Sequence, residues 1–263
     1  MLKQRIISAI VGGLLLIGLL FLGKYPFFLV ILAIVLFSLD EFYSLLRFRG
    51  MQPNAVLGML GGLFLCLGAL LGKEGGMMFA LALSVFTILI WQIFTLGRTS
   101  ISNSTLTIFG SFYIGFLLAH TILIRGLGEH GPFLMLLVFI GTWVCDTAAY
   151  GAGVKIGKRK LAPQVSPNKT WEGTIGGALA SSISLGLICL AFFPWLSFLR
   201  GSILGLAIGI ASPLGDLAES RLKREMRVKN TGSLIPGHGG VLDRFDSLIF
   251  TAPVAYYLLK LLL

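Results

Sequence analysis

Residues 25–46 read YPFFLVILAIVLFSLDEFYSLL, and this stretch decides the class of fold. No charged side chain occurs in it before Asp40. A helix needs about 20 mostly apolar residues to cross a hydrocarbon core of roughly 30 Å, and this stretch is long enough. Its apolar residues are continuous and do not alternate with polar ones, which favours a helix over a half-buried strand. We therefore predict a transmembrane helix here.

Comparable apolar stretches occupy most of the chain, so we predict an all-α polytopic membrane protein. Backbone polar groups within a bilayer must be satisfied internally, and helices achieve this. Pairs of adjacent glycines within these stretches predict places where helix backbones approach closely, as at Gly61 and Gly62 or Gly176 and Gly177. Gly12 and Gly13 form another such pair. We predict about nine transmembrane helices, at residues 6–22, 25–46, 55–71, 76–96, 104–124, 132–152, 173–199, 201–218 and 247–263.

Composition excludes a soluble globular protein. Apolar residues make up 56% of the 263 residues and charged residues only 12%, against about 25% charged residues in ordinary domains. The net charge is +10, and its basic residues gather in loops. Anionic lipid head groups or nucleotide phosphates are therefore the expected partners, and nucleic acid is not. The three cysteines lie in apolar stretches, which predicts buried thiols and neither a disulfide nor a zinc site.

The distribution of Lys and Arg predicts the orientation. Most of these residues fall in the loops that lie on one side of the membrane if the N-terminus is cytoplasmic and nine spans alternate. On this topology Asp146, Asp216 and Asp246 all lie in the cytoplasmic half of the membrane. Acidic side chains at membrane depth are costly and usually functional. We therefore predict a polar site at the cytoplasmic face.

Two pairs of acids have helical spacing. Asp216 with Glu219, and Asp243 with Asp246, are each three residues apart, which places both members on one face of a helix. Carboxylates beside many cations form a suitable oxygen cage for magnesium that carries a polyphosphate. Asp40 and Glu41, late in the second predicted span, allow two interpretations: part of this site, or ordinary interfacial residues.

Residues 166–172 read SPNKTWE and concentrate hydroxyl, amide, cationic and acidic groups directly before a predicted span. We expect a turn that leads into a helix N-terminus, where free backbone N–H groups suit an anion.

Residues 220–246 read SRLKREMRVKNTGSLIPGHGGVLDRFD. This stretch resembles the signature of phosphatidate cytidylyltransferases, Ser-x-apolar-Lys-Arg, then Lys-Asp, then Pro-x-His-Gly-Gly-x-x-Asp-Arg-x-Asp. Residues 166–173 (SPNKTWEG), residues 146–150 (DTAAY) and the pair Gly215-Asp216 also resemble the family. One position departs from it: Asn230 stands where the family has Asp. If that carboxylate is essential, the chain is an inactive relative kept as a scaffold.

The resemblance implies transfer of CMP from CTP to phosphatidic acid, which yields CDP-diacylglycerol and pyrophosphate. It implies membrane spans in residues 1–130, about five helices, and a catalytic membrane region in residues 131–263. The implied location is the bacterial inner membrane, with CTP, phosphatidic acid and membrane lipid as partners. Glycine-rich spans permit a homodimer without requiring one. A transporter is the alternative from another class, but it would place charges at the bilayer midplane and show inverted symmetry, which we do not find.

The resemblance also implies roles for individual residues. The expected metal ligands, for one or two cations of which one is Mg²⁺, are Asp216, Asp243 and Asp246; these three and Lys169 are the expected catalytic residues. His238 is either an acid or a positioning donor, and the chemistry favours positioning because it needs no base. The expected substrate-binding residues are Asp146, Ser166, Asn168, Thr170, Glu172, Ser220, Lys223, Arg224, Lys229, His238, Gly239, Gly240 and Arg244.

Overall fold

The computed structural model describes residues 2–95, 100–232 and 239–263, with the backbone alone for residues 2–9. Most of the described chain is helical, which confirms the predicted all-α class. A two-stranded antiparallel sheet is the exception. The elements in chain order are α1 (Leu2–Leu22), α2 (Lys24–Phe48), α3 (Ala55–Phe94), α4 (Ile101–Gly110), a π-helical turn (Ser111–Phe116), α5 (Leu117–Arg125), α6 (Gly131–Ile156), β1 (Lys160–Ala162), β2 (Ser166–Thr170), α7 (Trp171–Phe192), α8 (Phe198–Glu225) and α9 (Leu242–Leu262).

Seven helical stretches in the described ranges are long and apolar enough to cross a membrane. In α1, the part whose side chains are described, Ile10–Leu22, is a shorter apolar helix. The protein is therefore an integral membrane protein, while the count of nine spans stays a prediction. α3 covers two predicted spans, because its 40 residues fold back at Lys73, which has φ 52° and ψ −139°. A Cβ at Gly68 would lie 2.5 Å from the carbonyl oxygen of Gly76, so the two halves of α3 touch on either side of this break.

The predicted boundary between the seventh and eighth spans, at residues 199–201, is wrong by several residues. α7 ends at Phe192 and α8 begins at Phe198. Phe193, which precedes Pro194, has φ −129° and ψ 74°. A residue before proline is disfavoured in the helical region, and proline has no N–H to continue the helix, so the chain turns here.

The chain divides into two compact units. The first contains Met1–Pro132 and Met226–Phe245, and the second contains Phe133–Glu225 and Asp246–Leu263. In the first unit, the buried Tyr43 of α2 donates a hydrogen bond of 2.7 Å to the carbonyl oxygen of Thr107 on α4. Ser111 donates one of 3.0 Å to the carbonyl oxygen of Gly58 on α3. These bonds join α2, α3 and the helical stretch 101–125.

In the second unit, α7 and α8 pack backbone against backbone through glycines four residues apart on α8, namely Gly201, Gly205 and Gly209. A Cβ at Gly201 would lie 2.6 Å from Sγ of Cys189. The predicted close approach at Gly176 and Gly177 is confirmed, since a Cβ at Gly177 would lie 2.7 Å from the carbonyl oxygen of Cys145. At Gly12 no close approach is found among the described residues, since none of their atoms lies within 4 Å of a Cβ there.

Candidate active site

The middle of α8 brings the predicted polar residues of the second unit together. Pro213 lies within this helix and cannot donate to the carbonyl oxygen of Gly209 one turn earlier. The Sγ of Cys145 on α6 donates to that oxygen at 3.7 Å. α8 therefore passes Pro213 without ending, and it carries Ser212 on one side of the proline and Asp216 on the other.

Asp216 is paired with Lys169. The Nζ of Lys169, on β2, lies 2.7 Å from Oδ2 of Asp216 and donates to the carbonyl oxygen of Pro213 at 3.1 Å. Ser220 donates to Oδ1 of Asp216 at 3.2 Å, one turn along the same helix. The Lys169 and Asp216 side chains are 21% and 39% exposed, so solvent screens this ion pair less than an ordinary surface pair.

Two further carboxylates adjoin the same segment of α8. Ser212 donates a hydrogen bond of 2.7 Å to Oδ1 of Asp146 on α6. The charge of Asp216 acts on both Asp146 and Asp246, and Oδ1 of Asp246 accepts from the N–H of Ser247 at 2.7 Å. We refer to Asp146, Asp216 and Asp246 as the carboxylate cluster.

Gly215 allows α8 to lie close to Asp246 and Ser247 of α9. A Cβ at this position would lie 2.5 Å from the carbonyl oxygen of Asp246 and 3.1 Å from Cα of Ser247, so Gly215→Ala forces one helix to move. We expect destabilisation of about 1–3 kcal/mol, typical of overpacking, and a lower Tm in detergent. Gly151→Ala is the matched control, because no atom of the residues that the structure describes lies within 4 Å of a Cβ there. Alanine favours a helix over glycine by about 1 kcal/mol, so the control should be no less stable. Equal Tm values for the two variants would contradict the close contact.

Residues 166–172 form a strand and a helix start instead of the predicted turn. β1 and β2 pair as a hairpin, and Thr170 is the N-cap of α7, where its Oγ1 accepts from the N–H of Gly173 at 3.2 Å. Glu172 accepts from the N–H groups of Lys158 and Arg159 at 3.0–3.2 Å. Thr170 and Glu172 therefore support the backbone that presents Lys169.

The other predicted residues of the second unit lie on β2 and at the C-terminal end of α8. Ser166 and Asn168 are on β2, half-buried and exposed respectively. Lys223 lies 2.5 Å from Glu219, which is fully buried on α8. Arg224 donates from Nε to the carbonyl oxygen of Val165 at 3.2 Å, which ties the hairpin to the end of α8.

The signature loop, residues 226–245, belongs to the first unit. Oδ2 of Asp243 accepts from the N–H of Thr231 at 2.9 Å, the hydroxyl of Thr231 at 3.0 Å and the N–H of Gly240 at 2.8 Å. Gly239 has φ +88°, a conformation in which a side chain is strained. Lys229 and Arg244 are exposed, and His238 lies outside the described residues.

Two contributors escaped prediction: Ser212 orients Asp146, and Thr231 holds Asp243. Glu41, for which the sequence left two interpretations open, is buried, and its carboxylate accepts hydrogen bonds from the start of α9. A hydroxyl within an apolar span was the available signal for Ser212. For Glu41 it was an acid at membrane depth, and nothing in the sequence distinguished it from its neighbour Asp40.

The donor set of the carboxylate cluster fits magnesium. Within residues 2–95, 100–232 and 239–263, no three His, Cys, Asp or Glu side chains converge closely enough to make a ready-made metal site. Magnesium, however, is usually held by one or two carboxylates together with substrate phosphates and water. Asp216 and Asp246 offer such oxygens, and the metal itself stays a prediction.

These features define a class: an integral membrane protein with a lysine-paired carboxylate cluster among its helices. Residues 3–262 match the Cytidylyltransferase family, and the chain belongs to this family. A phosphatidate cytidylyltransferase of Synechocystis sp. is 34% identical over 287 residues, which cover 99% of this chain and 97% of the relative. That of Bacillus subtilis is 34% identical over 274 residues, 98% of both chains. That of Haemophilus influenzae is 50% identical over 135 residues, 49% of this chain and 46% of its own. The resemblance found in residues 220–246 is thereby confirmed.

Proposed function

We propose that this protein is a phosphatidate cytidylyltransferase. A phosphate oxygen of phosphatidic acid forms a bond to the α-phosphorus of CTP. The bond from that phosphorus to the oxygen bridging to the β-phosphate breaks, and pyrophosphate leaves with the electron pair. The products are CDP-diacylglycerol and pyrophosphate. Family membership and the names of relatives that match nearly the full chain support this reaction.

The observation that carries the proposal is the convergence on residues 212–216 of α8. Ser212 holds Asp146, Asp216 pairs with Lys169, and Gly215 adjoins Asp246. A cation and three carboxylates at one short segment suit the handling of a polyphosphate, because phosphoryl transfer depends mainly on positioning and charge stabilisation.

The attacking phosphate is already an anion, so the chemistry needs no strong base. The difficulty is electrostatic, since two anionic substrates must meet while charge develops on the leaving pyrophosphate. We assign Lys169, Lys223 and Arg224 to phosphate binding, with Ser220 oriented by Asp216. Lys229 and Arg244 of the signature loop, with the N–H groups of Gly239 and Gly240, remain the proposed phosphate contacts of that segment.

We assign the divalent cation to Asp216 and Asp246, with Asp243 kept as the third predicted ligand. When bound, such a cation neutralises triphosphate charge and stabilises the leaving group. Lys169 forms an ion pair with Asp216, which keeps the carboxylate in place between α8 and β2.

The proposed setting is the cytoplasmic face of the bacterial inner membrane, with nine spans and a cytoplasmic N-terminus. This orientation follows from the distribution of Lys and Arg. It suits the substrates, since CTP is soluble and phosphatidic acid lies in the bilayer with its head group at the surface. Nucleic acid has no role in the proposal.

The test is transfer of label from α-labelled CTP to lipid. The chain purified in detergent is incubated with phosphatidic acid and magnesium, and the lipid fraction is counted. Labelled CDP-diacylglycerol that requires phosphatidic acid supports the proposal. Well-folded protein that transfers no label, with or without Asn230→Asp, would overturn it.

Asn230→Asp tests whether the departure from the family signature matters. Asn230 is exposed, and its Cβ lies 3.5 Å from where a Cβ of Gly239 would be, beside Asp243. Because asparagine keeps the size of the family's aspartate and a carbonyl oxygen in its place, we expect an active parent and a change in kcat within about fivefold, or about 1 kcal/mol in the barrier. An inactive parent with an active Asn230→Asp variant would show that the carboxylate is essential and that the natural chain is a scaffold.

A further inference from the structure

Glu41 differs sharply from its neighbour on α2. Its side chain is buried, with 9% exposure, although a carboxylate is costly to bury without partners. Asp40, the adjacent residue, is exposed and lies 3.8 Å from Arg47 in a surface pair. The two acids are alike in sequence, so the burial of Glu41 requires a specific cause.

The cause is the N-terminal end of α9. Oε1 of Glu41 accepts from the N–H of Val241 at 2.8 Å, and Oε2 accepts from the N–H of Leu242 at 2.9 Å. The hydroxyl of Thr231 lies 3.0 Å from Oε2. These contacts link residues that are 190 to 201 positions apart in the chain.

The first N–H groups of a helix have no partner within the helix, and negative charge is favoured near them. α9 begins at Leu242, so Glu41 accepts from the N–H of the residue before the helix and from the first N–H of the helix, and its charge lies at the N-terminal end of α9. The loop glycines allow this approach, because a Cβ at Gly232 would lie 2.7 Å from Oε1 of Glu41. Thr231 also contacts Asp243, so both carboxylates belong to one hydrogen-bond network.

We propose that Glu41 is a positioning residue for the reaction: it fixes the first turn of α9, which carries Asp243 and Arg244. The inference rests on the proposed function, since its effect on rate requires that α9 presents reacting groups. The hydrogen bonds of Glu41 go to Thr231, Val241 and Leu242, which all lie in the signature loop. Its carboxylate determines where the first turn of α9 lies.

The test compares Glu41→Gln with Asp40→Asn in the full chain. Glutamine replaces one accepting oxygen by a donor that faces the N–H groups of α9, whereas Asp40→Asn removes only an exposed charge. Amide hydrogen exchange of the peptide covering residues 239–245 is measured by mass spectrometry, together with kcat, KM for CTP and Tm in detergent.

We expect Glu41→Gln to accelerate exchange at Val241 and Leu242 and to lower kcat, each by at least about tenfold, which is the scale of a lost hydrogen bond to a charged group. Exchange elsewhere in α2 and α3 should change little, and the Tm should fall by only a few degrees. Asp40→Asn should match the parent in every measurement. Thr231→Val, which removes the shared hydroxyl, should also accelerate exchange at Val241 and Leu242 and lower kcat. This variant replaces Glu41→Gln in the comparison if Glu41→Gln does not fold.

Uniformly faster exchange and a lower Tm, with kcat per folded molecule unchanged, would reduce Glu41 to a structural residue and overturn the proposal. Equal exchange at residues 239–245 in Glu41→Gln and Asp40→Asn would overturn it too. A parent without transferase activity would be a failure of the proposed function, and it is distinguished from these outcomes because it is seen before any variant is compared.

Discussion

Replacement of Asp246 by Asn is expected to lower label transfer from CTP to lipid by on the order of 1,000-fold, the scale of a lost electrostatic element in phosphoryl transfer. The residue adjoins Gly215 of α8, and the charges of Asp216 and Asp146 act on it. Asparagine preserves the size of the side chain and removes the charge. The loss should therefore appear in rate while the Tm stays near that of the parent, or rises as repulsion within the carboxylate cluster is relieved.

Glu225→Gln is the matched control for Asp246→Asn. Glu225 lies at the end of α8 in an exposed ion pair of 3.0 Å with Arg221, and exposed pairs contribute about 0–1 kcal/mol. Its neutralisation should leave transfer within about fivefold of the parent. If Asp246→Asn kept comparable activity, the carboxylate cluster would not be the site of the reaction.

Replacement of Lys169 by Met is expected to lower transfer by on the order of 100-fold and also to lower the Tm. Lys169 is the cation that lies 2.7 Å from Asp216, and it donates to the carbonyl oxygen of Pro213 as well. Without it, Asp216 faces the charges of Asp146 and Asp246 with no counter-charge from β2. The loss of stability comes from this uncompensated repulsion and the loss of activity from the missing phosphate contact.

A second replacement separates these two effects. Adding Asp216→Asn to Lys169→Met removes the uncompensated charge, so the Tm should recover while activity stays low. Lys160→Met, an exposed change on β1 of the same hairpin, should leave both quantities unchanged. Recovery of activity in the double variant would contradict the assignment of Lys169 to substrate.

Much of the carboxylate cluster could be predicted from residue type and position. Asp146, Asp216 and Asp246 are acids at membrane depth, and the cost of placing charge there made each one conspicuous. The pairing of Asp216 with Lys169 could not be predicted in the same way. Sequence spacing does not state which face of α8 meets β2, and the partners are 47 positions apart in the printed sequence.

The hairpin of β1 and β2 escaped prediction for a different reason. Its strands have three and five residues and are largely polar, so they show no alternation that would distinguish them from a loop. The end of α7 was misplaced because residues 193–199 are mostly apolar, and hydrophobicity alone does not indicate the turn at Pro194.

By itself, the sequence determined that the protein lies in a lipid bilayer, that its fold is helical and to which family it belongs. A bilayer requires long apolar helices whose backbone polar groups are satisfied internally, and the signature residues lie close together in the sequence. Only the tertiary structure decided which of two adjacent acids is buried. Asp40 and Glu41 differ by one position on α2, which is a rotation of about 100° around the helix axis. That rotation directs Glu41 to the N–H groups of Val241 and Leu242, about 200 residues away, and leaves Asp40 exposed. Contacts at such separation depend on how helices pack, and no local pattern encodes them.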